Sequence, residues 1–191
     1  MIVLLFTRVF IFYKIIVFDM KKLLIVVDYQ NDFVNGSLGF DDASNLETPI
    51  YKRIIDAEHN NEDVIFTKDI HESNYLETEE GKNLPIIHCI RGTSGSEIYG
   101  IINEISKRHI IFEKETFGSS KLASYLKENC YDQITLIGLV SYICVLSNAV
   151  ICKAMNPNAH IIVEKALTSG LDKKVQEEAF DVMRNIHIEI K

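Results

Sequence analysis

The sequence predicts an α/β domain in which a parallel sheet is covered by helices on both faces. Two observations carry that expectation. Short β-branched runs alternate with longer stretches at helical spacing, and several of the runs are apolar without interruption, as in strands buried on both faces. In chain order the strand candidates are LLIVV at 23–27, DVIFTK at 63–68, LPIIHCI at 84–90, HIIFEK at 109–114, QITLIGL at 133–139, HIIVEKA at 160–166 and IHIEI at 186–190. Helices are expected over 46–59, 96–107, 119–130, 143–155 and 172–184. In the third of these, Leu122, Tyr125 and Leu126 recur at helical spacing after Ser119 and Ser120, residue types that cap a helix N-terminus. Strand then helix, repeated, requires parallel strands joined by crossovers, and ligands of such sheets gather beyond the carboxyl ends of the strands.

Composition bounds the function. The chain has 191 residues, 47% apolar and 25% charged, as in one soluble domain able to bury roughly 70% of the surface its unfolded chain exposes. A metal is therefore not needed merely to build a core. There is no repeat, no low-complexity tract and no Pro/Gly-rich linker, the three prolines being Pro49, Pro85 and Pro157, so no second domain is expected. A net charge of −7 argues against nucleic acid as a partner. Cys89, Cys130, Cys144 and Cys152 are widely spaced, without CxxC pairs; reduced thiols in a cytoplasmic protein are expected.

Residues 1–18 are strongly apolar, but Arg8 and Lys14 interrupt them and leave no clean span of about 20 apolar residues. The ordered parts of a secretory signal are missing too. No membrane partner is expected. Met20, followed by Lys21 and Lys22, begins a conventional strand, so residues 1–19 are read as an extension upstream of the true start and residues 20–191 as a single domain.

Three reactive groups arrive at one edge of the expected sheet. The first strand ends in Asp28, the strand at 109–113 runs into Lys114, and the strand at 133–139 leads through Gly138 to Cys144 at the start of a helix. Singly, each is equally at home as a turn former, a solvated charge or a small buried apolar group. Together they describe a nucleophilic hydrolase site. A helix N-terminus and a nearby ammonium favour thiolate, and a carboxylate within reach can take the thiol proton and return it to a leaving group. A second cluster, Asp69, His71, Glu77, Glu79, Glu80 and His88, combines imidazole and carboxylate. Such donors suit zinc, iron or manganese, although a solvated acidic loop has the same composition.

Five blocks in order, VDYQNDFVNGSLG at 27–39, TKDIH at 67–71, LPIIHCIRGTSG at 84–95, FEKETFGS at 112–119 and GLVSYICVLSNAV at 138–150, resemble the isochorismatase-like cysteine hydrolases, and among them the nicotinamidases. The resemblance implies a Rossmann-like three-layer sandwich with a mainly parallel six-stranded sheet, and a catalytic triad of Asp28, Lys114 and Cys144. It implies attack of the cysteine on a small amide, nicotinamide first among them, by way of a thioester. Another small amide, an N-carbamoyl compound, a ureide, or a homologue without turnover is the alternative. It further implies a non-prolyl cis peptide between Leu139 and Val140, with the amides of Val140 and Cys144 as oxyanion donors worth roughly 3 kcal/mol each.

Nicotinamidases bind a divalent metal that holds the pyridine nitrogen, and Asp69, His71 and His88 match three of its ligand positions. The fourth is Glu77 or Glu80, with Glu80 favoured. Zinc is the expected metal, with iron or manganese as alternatives. Phe33 matches the aromatic residue stacked on the substrate ring. The chain departs from the family in having no tryptophan, with Leu84 and Pro85 before His88, and in the run Ser141, Tyr142, Ile143; these departures bear on the substrate. Relatives often form homo-oligomers, and the same is expected here.

Overall fold

A computed structural model describes residues 20–191; the expectation for residues 1–19 lies outside them. The chain runs β1 (Lys22–Val27), α1 (Asn31–Val34), α2 (Glu47–His59), β2 (Asp63–Asp69), α3 (Glu79–Asn83), α4 (Gly100–Ser106), β3 (Ile110–Lys114), α5 (Ser120–Glu128), β4 (Gln133–Leu139), α6 (Leu146–Met155), β5 (His160–Ser169), α7 (Lys173–Asn185) and β6 (Glu189–Ile190). The strands form one six-stranded sheet in the order β3-β2-β1-β4-β5-β6, and every ladder is parallel.

Side-chain alternation along the central strands builds the three layers. Leu23, Ile25 and Val27 of β1 face Leu122, Leu126, Val145 and Phe180, while Leu24 and Val26 face Ile50, Ile54, Ile102 and Ile105. One strand thus supplies both cores, which is why its sequence is apolar throughout. The helices start where side chains satisfy free amides: Ser119 Oγ accepts from Leu122 N at 3.1 Å, and Asp172 Oδ1 accepts from Lys174 and Val175 at 2.9 and 3.1 Å.

From β1 the chain builds outward through β2 and β3, then returns to lay β4 on the other side of β1. The order reverses there, and a crevice opens beyond the strand ends. At this junction Gly138 pairs with Val27. Its φ is +105°, and a Cβ would collide with the Val27 carbonyl oxygen, so only glycine lets the two strands close up.

Three expectations are corrected. Residues 84–90 are not a strand: Pro85 removes a donor, Ile86 and Ile87 are exposed, and Cys89 has a φ of +48°. Among the described residues its strand-like pairing at the sheet end is one isolated parallel bridge, His71 to Ile90. The helix expected from 96 begins at Gly100, after a 3₁₀ turn at Ser94–Ser96. The helix expected from 143 is preceded by a π-helical turn over Ser141–Val145.

Candidate active site and metal cluster

Asp28, one residue past β1, has a φ of +43°, a region that Asp enters more readily than most side chains. Its carboxylate is fully buried. Thr67 Oγ1 donates to Oδ1 at 2.7 Å. Oδ2 lies 2.7 Å from Lys114 Nζ in a buried ion pair. Lys114 ends β3 and is buried. Its ammonium also donates to Asp69 Oδ1 at 3.0 Å and approaches Cys144 Sγ at 3.6 Å. Three sheet strands and the π-helical turn therefore bring Asp28, Asp69, Lys114 and Cys144 to one point.

The electrostatics differ from the sequence expectation of a resting thiolate. Burial pushes the Cys144 thiol well above its usual range; Lys114 lowers it, while the charges of Asp28 and Asp69 add to the rise. Burial also raises Asp28, against the opposing pull of Lys114. Lys114 is held cationic: burial opposes its charge, but Asp28, Cys144 and Asp69 outweigh that. A free thiolate would add a further negative charge beside two carboxylates in a dry site, and neither the ammonium nor the turn compensates for it.

Beside this cluster lies a second. One donor atom each from Asp69, His71, Glu80 and His88 fall within 4.8 Å of one another. His71 Nε2 is 2.9 Å and His88 Nε2 3.4 Å from Asp69 Oδ2, and the same nitrogens are 3.6 and 3.8 Å from Glu80 Oε1. Four ligands at 2.0–2.2 Å around a tetrahedral ion would stand about 3.4 Å apart, so the spacing fits a divalent metal. Glu80 Oε2 is buried without a hydrogen-bond partner among the described residues, a cost that a cation would remove. Burial raises Glu80, with Asp69 adding to the rise. Asp69 is held far below the carboxylate range, because the neighbouring His71, His88 and Lys114 together overcome its burial. The Ile86 carbonyl, 2.8 Å from His88 Nδ1, places the proton there and leaves Nε2 for the cluster.

Glu80 is brought in by α3, whose first turn is capped by Thr78 Oγ1 accepting from Gly81 at 3.0 Å. Glu77, in the preceding 3₁₀ turn, is exposed and stays outside the cluster. Four further residues went unrecognised in the sequence. Thr67 orients Asp28. Tyr75 packs on both imidazoles, with ring centroids at 4.6 and 4.9 Å. Asn148 donates to the Cys144 and Phe117 carbonyls and accepts from Ser119 N, tying the Cys144 turn to the loop after β3. Gln30 is buried at the meeting of β1 and β2. All are polar or aromatic groups with no exposed duty, and burial is the signal that a sequence withholds.

Both clusters open on one cavity of about 200 Å³. Asp69, Glu80, His88 and Cys144 reach it, Phe33, Phe40, Phe117 and Tyr142 give it aromatic walls, and Val140 also lines it; no lysine or arginine is among the lining residues. Phe33 sits 5.6 Å, ring to ring, from His88. The peptide between Leu139 and Val140 is cis. Of the other thiols, burial pushes Cys89 and Cys152 up, and Cys130 is exposed.

Comparison with known proteins bears on this arrangement. The isochorismatase domain model matches residues 22–190. The chain is 28% identical over 167 residues to an uncharacterized isochorismatase family protein, PncA, of Bacillus subtilis, covering 81% of this chain and 90% of that protein. It superposes with a TM-score of 0.79 on a crystal structure of nicotinamidase from Bacillus subtilis at 27% identity, covering 90% of this chain and 99% of that one. It superposes with 0.75 on N-carbamoylsarcosine amidase from Thermoplasma acidophilum at 25% identity, covering 90% and 96%. With nearly every described residue inside the match, this chain belongs to the isochorismatase domain family.

Proposed function

We propose that this chain is a cysteine-dependent amidase that converts nicotinamide to nicotinate and ammonia through a thioester acyl-enzyme, with residues 20–191 as its catalytic domain. One observation carries the reading: Lys114 Nζ stands 2.7 Å from Asp28 Oδ2 and 3.6 Å from Cys144 Sγ while sharing Asp69 with a four-donor cluster that opens on the same cavity.

The chemistry follows from keeping the number of buried charges constant. At rest the site holds a thiol, the Asp28 carboxylate and the Lys114 ammonium. As Cys144 Sγ bonds to the amide carbon, its proton passes to the Asp28 carboxylate, so the thiolate forms only as it is consumed. The carbonyl oxygen takes the negative charge, and the amides of Val140 and Cys144 are its donors. Asp28 then protonates the nitrogen, the C–N bond breaks and ammonia leaves. Water, deprotonated by Asp28, attacks the thioester; the C–S bond breaks and the sulfur recovers its proton from Asp28.

Asp69, His71, Glu80 and His88 would hold a divalent ion, zinc first and iron or manganese as alternatives, whose Lewis acidity would fix a ring nitrogen. Phe33 and the other aromatic walls bind the ring face. A pocket walled by apolar and aromatic side chains, with no lysine or arginine in its lining, suits a neutral aromatic amide. The likeness to N-carbamoylsarcosine amidase supports a second reading, an N-carbamoyl substrate, whose carboxylate would find no lysine or arginine among the lining residues.

Metal-replete protein incubated with nicotinamide, and in parallel with N-carbamoylsarcosine, tests both readings by ammonia release. Release from nicotinamide that disappears in Cys144→Ala is expected; release from N-carbamoylsarcosine alone, or none that depends on Cys144, overturns the leading reading.

A further inference from the structure

We infer that Gln30 is a positioning residue for the metal cluster: its side-chain amide acts as an extra rung of the sheet and sets the orientation in which Asp69 faces the imidazoles and Lys114 together. The inference rests on the metal reading given above for Asp69, His71, Glu80 and His88.

Gln30 lies two residues past Asp28 and is fully buried. Its Oε1 accepts from Asp69 N at 2.7 Å, and its Nε2 donates to the Asp69 carbonyl at 2.8 Å. Both backbone polar groups of one residue are thus paired by one side-chain amide, as a neighbouring strand would pair them, at the point where the β1–β2 ladder has already ended at Val27 and Thr67. The same Nε2 donates to the Ser96 carbonyl at 2.9 Å and approaches Cys89 Sγ at 3.5 Å. Cys89 follows His88, so the amide joins the segments that carry two of the four donors.

The position needs this side chain for a physical reason. Asp69 works in two directions, Oδ1 toward Lys114 at 3.0 Å and Oδ2 toward His71 at 2.9 Å, so a small rotation of its backbone would trade one contact against the other. A primary amide supplies an acceptor and two donors in one plane. A carboxylate would turn acceptor oxygens toward two carbonyls, and a thioether would leave a buried amide and two carbonyls unpaired.

The experiment compares Gln30→Glu and Gln30→Met with a matched control, Tyr29→Phe, which removes a neighbouring buried hydrogen bond to the Ala43 carbonyl at 2.8 Å but touches no donor of the cluster. Each protein is titrated with cobalt(II) and zinc(II) against a chelating dye, the visible cobalt bands are recorded, and thermal unfolding is followed without metal. Partners behind metal ligands are typically worth about 10- to 100-fold in metal affinity. A loss of that size in both Gln30 variants, with altered cobalt bands, is expected, while Tyr29→Phe lowers the melting temperature and keeps wild-type affinity and bands. Equal affinity in the folded Gln30 variants overturns the inference.

Should neither variant fold, exchange of the Asp69 amide, which donates to Gln30 Oε1, decides in the wild-type protein. Selective slowing of it on adding zinc is expected, and no slowing overturns the inference. Wild-type protein that binds metal but leaves nicotinamide intact would remove the proposed substrate while the Gln30 result stands. A wild-type protein that binds neither ion overturns the inference together with the metal site.

Discussion

Two clusters share one cavity and are joined by one ion pair, Asp69 with Lys114, yet they are built differently. The group around Cys144 is delivered by strands: Asp28 follows β1, Lys114 ends β3, and Cys144 sits in the turn after β4. The metal cluster takes only Asp69 from a strand; His71 stands just beyond it, Glu80 comes from a short helix and His88 from chain without regular structure. Strand ends in a parallel sheet are held by ladder hydrogen bonds and two packed faces, and they suit groups that must meet within hydrogen-bond distance. A metal ion can gather ligands from loops because its own bonds complete the geometry. The first cluster is therefore expected to be rigid without ligand, and the second to depend on capping and on side-chain rungs such as that of Gln30.

The sharpest break of this comparison is Cys144→Ala, expected to lower ammonia release by roughly 10⁴-fold or more while zinc binding, measured by competition with a dye, stays within about twofold of wild type. Asp28→Asn keeps the shape but cannot take the thiol proton, and a loss of about 10²- to 10⁴-fold in kcat is expected, again with metal binding retained. The opposite pattern is expected on the other side. Glu80→Gln weakens zinc by at least about tenfold and raises KM for nicotinamide, whereas Glu77→Gln, altering an exposed side chain, changes neither.

The pH dependence sharpens the same contrast. Asp28 must be a carboxylate to accept the thiol proton, and burial raises its pKa above the ordinary 3.8. The acid limb of kcat/KM therefore falls at a higher pH than an exposed aspartate would give. Because burial lifts the Cys144 thiol well above 9.0, its alkylation without substrate, read by peptide mass mapping, should still accelerate through pH 9 without a plateau. A plateau near neutral pH would return the resting thiolate that the sequence led one to expect. The smallest effect is expected for Phe33→Leu, a rise in KM of about two- to tenfold with kcat little changed, the size of one aromatic contact.

The strand-borne residues were legible because a parallel sheet makes a rule of its carboxyl edge: once the strands are found by their apolar runs, the residues that follow them are candidates. The loop-borne residues were legible only through the family resemblance. Between Glu77 and Glu80 no periodicity decides, since both follow the same acidic stretch; Thr78, by capping α3, turns one toward His71 and leaves the other in water. The strand expected at 84–90 failed because its apolar residues are spent on an exposed edge and on carrying His88 inward.

By itself the sequence determined the layered α/β architecture and offered a cysteine at a strand end and imidazole and carboxylate donors as candidates, since apolar period and residue chemistry are written position by position. Only the tertiary structure shows Cys144 buried beside Lys114, Glu80 rather than Glu77 against His71 and His88, and the contacts of Thr67, Gln30, Tyr75 and Asn148. Each of those depends on burial and on distances between residues far apart in the chain, and such quantities exist only after the sheet has closed β1 against β4.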